Sequence, residues 1–143
     1  MLRMPNLPLD EFNRILRVAP TLAVDVLIVN DKREFLLEKR TYPPKTGCWH
    51  IPGGFVGYNE RLVDTAKRKA LEETGLRIKV GKYLGYYDDP KQDSRGFIVV
   101  HAFTAKPIGG KLKEPGLKWF KTMPKWMGFF HQVKELKAAG LVK

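Results

Sequence analysis

The chain has 143 residues, 43% hydrophobic and 29% charged, a balance that suits one folded domain and excludes a disordered, collagen-like or low-complexity chain. Lys and Arg total 26 against 15 Asp and Glu, a formal charge of +11, which favours polyanionic ligands such as nucleotides or nucleic acid over acidic partners. The single cysteine, Cys48, excludes an intrachain disulfide framework, and no apolar run is long enough to cross a bilayer, so a cytoplasmic protein without membrane partners is expected.

In chain order, Leu9 to Val18 repeats apolar residues at helical spacing and ends before Pro20. Thr21 to Val29 reads as a strand apolar on both faces, hence interior to a sheet. Asn30 to Arg33 is turn chemistry, and Phe35 to Arg40 is expected to complete a hairpin. A Pro43-Pro44 loop leads to the short piece Trp49-His50-Ile51 and the break Pro52-Gly53-Gly54. Asn59 is the expected N-cap of a helix over Glu60–Thr74, stopped by Gly75. Leu76 to Asp88 reads as one long or two short strands, Gly96 to Ala105 as a strand, Gly109-Gly110 as the opening of a loop, and Leu117 to Lys121 as a short strand. A last helix covers Phe130 to Ala139, and the set predicts helices on both sides of a mixed sheet.

The chemistry concentrates between Gly54 and Leu76. At 100° per residue, Leu62, Val63, Ala66 and Ala70 make one apolar stripe, with Glu73 at its border and Glu72 further round. A carboxylate beside a buried stripe is costly unless paired. A hard cation with oxygen ligands would pair it, activate water and neutralise a departing phosphate. The Gly53-Gly54 turn brings backbone close enough to offer a carbonyl, while the alternative is Glu72 and Glu73 paired with Arg68 and Lys69 on a solvated face.

This stretch resembles the Nudix box: Gly54, Glu60, Arg68, Glu72, Glu73 and Gly75 fall in its register. The resemblance extends over the elements from Thr21 to Lys121. It implies a single Nudix domain over residues 1–143, with 1–20 as an N-terminal helical extension. The implied fold is an α/β/α sandwich around a central mixed sheet. The implied activity is metal-dependent hydrolysis of a nucleoside diphosphate linked to another moiety, a nucleotide sugar or an ADP-ribose-like compound, with Mg2+ or Mn2+ as cofactor. Gly54, Glu72, Glu73 and Glu114 are the implied metal ligands. Glu72, Glu73, Arg68 and Glu114 are the implied catalytic groups, Glu114 as ligand or base from the loop before Leu117.

Lys69 departs from the motif, standing where the box carries its first catalytic-helix glutamate. An ammonium cannot ligate a metal, and four residues from Glu73 it is placed to pair with it. Fewer metals, weaker metal binding or loss of hydrolysis follow, so the competing reading is a non-catalytic nucleotide- or RNA-binding Nudix-fold protein. The segment from Thr21 to Gly54 is similar to the GDP-mannose mannosyl hydrolase branch, by which Arg40 and Asp25 are candidate substrate contacts. A surface Arg40 and an Asp25 in an internal ion pair with an arginine are the alternatives. Phe55, where that branch has an arginine, and Glu114, where it has a histidine base, weigh against a simple transfer of substrate. His131 is a secondary candidate base, and His101 is expected to be a satisfied core histidine. Met123, Trp126, Met127, Phe129 and Phe130 are expected to close the core, with a homodimer contact as the alternative.

Overall fold

A computed structural model describes residues 7–113 and 115–143. Ten elements follow in chain order: α1 (Leu9–Val18), β1 (Thr21–Ile28), β2 (Phe35–Lys39), β3 (Trp49–His50), β4 (Gly53–Phe55), α2 (Leu62–Thr74), β5 (Leu76–Tyr87), β6 (Ile98–Gly110), β7 (Leu117–Phe120) and α3 (Phe130–Ala138). The larger sheet is mixed, in the order β4-β1-β6-β5, with β1 and β6 parallel and the other pairs antiparallel. A smaller antiparallel sheet runs β3-β2-β7. Among the described residues no helix is long and apolar enough to cross a membrane.

Strand β1 explains the layering. Alternate side chains point to opposite faces. Val24, Val26 and Ile28 pack with Ala66 and Ala70 of α2. Leu27 packs with Leu136 of α3, and Ala23 with Phe12 and Leu16 of α1. Asp25 therefore lies on the α1/α3 face, a polar residue in an apolar row, at the place where β1 pairs with Gly53 of β4.

Several local expectations change. No hairpin joins β1 and β2: one bridge, Val29 with Phe35, survives, and β2 then pairs with β3 and β7. A strand has two edges, and those of β1 are taken by β4 and β6. Asn59 does not cap α2. It has a positive φ of 63° in the preceding turn, and the helix begins at Leu62 after Arg61. Gly75 does end the helix, at φ 81°, a left-handed conformation that disfavours a Cβ. Gly109 and Gly110 lie inside β6, because β5 continues the ladder by pairing Leu76 and Arg77 with them. Val63 is exposed, and the inward stripe of α2 is Thr65, Ala66, Lys69, Ala70 and Thr74. In the C-terminal aromatic group only Phe129 is buried and Met127 half-buried, whereas Met123, Trp126 and Phe130 face solvent.

Candidate functional site

The glycine pair lines a cleft and on its other side meets Glu73 and Lys69 of α2. A Cβ on Gly53 would lie 2.1 Å from the Val24 carbonyl oxygen, so β4 approaches β1 this closely only with glycine there. A Cβ on Gly54 would fall 2.4 Å from Cε of Lys69, whose stem lies across it. Lys69 is buried, in keeping with a long aliphatic stem laid on backbone. Its Nζ lies 3.2 Å from Glu72 Oε2 and 4.0 Å from Glu73 Oε1.

Glu73 and Glu72 differ as their positions on the helix require. The Glu72 side chain is 49% exposed, whereas that of Glu73 is 11% exposed and accepts the Gly53 N–H at 3.3 Å. Burial, then the adjacent Glu38 carboxyl, pushes Glu73 up to about 7, against the opposing pull of Lys69 and the Gly53 N–H. Glu38 also lies 3.0 Å from Nε2 of buried His50.

Arg68 braces this junction. Its guanidinium donates to Glu60 at 2.7 and 2.9 Å, to Glu72 at 3.2 Å and to the Phe55 carbonyl at 3.0 Å. Glu60 also accepts from the Gly57 N–H and from the Thr65 hydroxyl. The Arg68 hydrogen bonds lead in holding its carboxyl down at about 2. Thus Glu60 ties the turn before α2 to the helix body.

The cleft itself, open to solvent, is lined among others by Asp25, Arg40, Gly53, Gly54, Arg95 and His131. Arg40 is 3% exposed, not a surface residue, and its Nη2 has no hydrogen-bond partner among the described residues. The guanidinium lies 4.7 Å from the Tyr42 ring centroid and 5.1 Å from that of Phe129, contacts that hold it flat. Arg95 is held by Asp93 at 2.7 Å. A buried guanidinium with an unused donor beside a second arginine is suited to a bidentate anion such as phosphate.

Asp25 is paired internally, and not with an arginine: it accepts from Gln132 Nε2 at 3.1 Å and lies 3.6 Å from His131 Nδ1. His131 is buried in α3 rather than on the surface. His101 is half-buried, with Nδ1 2.9 Å from the Tyr83 hydroxyl, so it is satisfied but outside the core. Glu114 lies outside the described residues. Glu38, His50, Arg95, Gln132 and Glu135 join the site without any signal in a linear motif. The polar Glu38 and His50 inside otherwise apolar strand segments are the nearest thing to one.

The model of the NUDIX domain family matches residues 19–132. The chain is 40% identical over 94 residues to an ADP-ribose pyrophosphatase of Methanocaldococcus jannaschii, covering 66% of this chain and 55% of that protein. It is 35% identical over 83 residues to the low-salt glycan biosynthesis protein Agl8 of Haloferax volcanii, covering 58% of this chain and 53% of that one. The chain thus spans about half the length of these curated relatives. Among solved structures, a MutT NUDIX hydrolase from Burkholderia pseudomallei superposes with a TM-score of 0.74 at 24% identity, over 83% of this chain and 97% of that one. The NUDIX domain of Shewanella oneidensis NrtR, solved with ADP ribose, gives 0.70 at 24% identity, over 94% and 92%. These two likenesses speak to the fold.

Proposed function

The chain belongs to the NUDIX domain family, and on that premise we propose that it is a divalent-metal-dependent hydrolase of a nucleoside diphosphate joined to a second moiety. ADP-ribose is the first substrate to test, because of the likeness to an ADP-ribose pyrophosphatase, and a nucleotide sugar such as GDP-mannose is the second. The observation that carries the reading is one juxtaposition: the half-buried Glu73 beside Glu38, at a glycine elbow that also walls the cleft holding Arg40.

The residues present fit a magnesium or manganese ion. Carboxylates of Glu72 and Glu73 with the Gly54 carbonyl form an all-oxygen, hard donor set. Two neighbouring carboxyl groups at the margin of the interior repel, and a cation there removes the repulsion. Bound, that ion would supply Lewis acidity toward a phosphate oxygen and a coordinated water. Lys69 already neutralises part of the charge, so fewer and weaker metal sites are expected than with a glutamate at that position.

Arg40 takes the diphosphate through its unpartnered Nη2. Arg68 orients Glu72 by donating to both of its oxygens, and Glu60 holds Arg68 in place. Asp25 borders the substrate from the floor of the cleft, with one oxygen engaged by Gln132 and His131. Glu114, three residues before Leu117 in the sequence, is proposed as a further ligand or base.

Phosphorus NMR of ADP-ribose, GDP-mannose, a dinucleoside polyphosphate and a nucleoside triphosphate, each with Mg2+ or Mn2+, tests the assignment. Hydrolysis in H2 18O then locates the label on phosphate or on sugar. Turnover of one substrate class that vanishes in Glu73→Gln supports the hydrolase. The ammonium against both box carboxylates favours a second reading, a nucleotide- or RNA-binding module. Absence of turnover with steeply salt-dependent RNA binding would replace the first reading by the second.

A further inference from the structure

Behind the floor of the cleft, three ionisable side chains from β1 and α3 meet. His131 and Glu135, four residues apart, share one face of α3. His131 Nδ1 lies 2.9 Å from Glu135 Oε2 and 3.6 Å from Asp25 Oδ2, and one ligand atom from each residue lies within 4.8 Å of the others. Donors bound to one ion at about 2.0–2.1 Å in tetrahedral geometry are separated by roughly 3.3 Å, between the 2.9 and 3.6 Å that part His131 from the two carboxylates. All three residues are buried, Glu135 completely.

We propose that Asp25, His131 and Glu135 form a second cation site, for a borderline divalent transition ion of the zinc class. The independent sign of a ligand is Glu135 Oε1, which is buried and has no hydrogen-bond partner among the described residues. The carboxyl faces that of Asp25, an acceptor facing an acceptor, and burial together with Asp25 raises its pKa well above the ordinary value. Two buried carboxyls flanking one imidazole need positive charge between them, and a proton or a cation is the choice. One nitrogen with carboxylate oxygens is a donor set for zinc rather than magnesium, which separates this cluster from the all-oxygen set near Glu73. The surroundings also fit a built site. Gln132 donates to Asp25 Oδ2 at 3.1 Å while its own Oε1 accepts the Ile51 N–H at 2.8 Å, so the aspartate is held from outside the cluster. Asp25 and His131 line the cleft that Arg40 and Arg95 also line, so an anion or water there could reach a bound ion. Uptake of the ion releases the proton that otherwise neutralises Glu135.

The test uses chelator-stripped full chain, incubated with zinc alone, freed of unbound metal by gel filtration and analysed by elemental mass spectrometry. One equivalent is expected in the wild type and in the double variant Glu72→Gln/Glu73→Gln, which separates this site from the proposed hydrolytic one. None is expected in Glu135→Gln or His131→Asn, and zinc should raise Tm in the wild type but not in these two. Where either variant fails to fold, cobalt(II) added to the wild type decides: the assigned ring protons of His131 shift strongly, more than those of His50 and His101. A wild type that retains no zinc, cluster variants that retain it undiminished, or an undisturbed His131 ring each overturn the proposal. In those cases a shared proton neutralises the carboxyl pair.

Discussion

The stem of Lys69 lies over Gly54 so closely that a methyl group on residue 54 would sit 2.4 Å from Cε, and its ammonium is thereby delivered to the box carboxylates. Glycine at the elbow and lysine on the helix act as one unit. Lys69→Glu is expected to lower Tm without metal, because a fourth carboxyl joins Glu72, Glu73 and Glu38. In the same variant Mn2+ should raise Tm more than in the wild type, as read by thermal denaturation with and without the ion. Equal shifts in both proteins would separate Lys69 from the metal site.

Stability should fall as pH rises through the neutral range. Glu73 has a folded pKa of about 7, above its ordinary value of 4.5. The folded state therefore binds more protons than the unfolded state between these values. The stabilisation is fully present below 4.5 and is lost on passing 7, by at most about 3 kcal/mol. Urea unfolding from pH 5 to 8 should show this decline in the wild type and its disappearance in Glu73→Gln.

Glu60 has the opposite sign. Its folded pKa of about 2 lies below 4.5, so its contribution is present above 4.5 and is lost as pH falls toward 2. Glu60→Gln is expected to cost about 1.5–3 kcal/mol at pH 7, the worth of hydrogen bonds to a charged group. The gap between wild type and variant should narrow between pH 5 and pH 2.

Arg40→Lys keeps the charge but loses the planar fork held against the Tyr42 and Phe129 rings. Affinity for a diphosphate ligand should fall about tenfold to a hundredfold, read by calorimetry with a non-hydrolysed analogue, with little change in the far-ultraviolet spectrum. An unchanged affinity would move the phosphate away from Arg40.

Helices and most strands were legible because their signals are local. The repeat of apolar residues in Leu9–Val18 and the glycine after Thr74 each act within a few residues, and both elements end where that chemistry says. The start of α2 was misplaced because Asn59 offers capping chemistry, yet the turn puts it at positive φ and leaves the capping place to Arg61. The hairpin after β1 was misread for a different reason. Turn residues report a reversal of the chain but not whether the next strand finds a free edge.

For the site, helical periodicity alone put Glu73 at the edge of the interior and Glu72 further round, since 100° per residue holds in any α-helix. The linear order also placed a lysine where a third carboxylate belongs. Only the packed structure brought Glu38 against Glu73, buried Arg40 with a donor unused, and joined Asp25 to Gln132 across 107 positions of the chain. Burial and charge pairing depend on which faces meet when sheets and helices close, and no short-range pattern encodes that meeting.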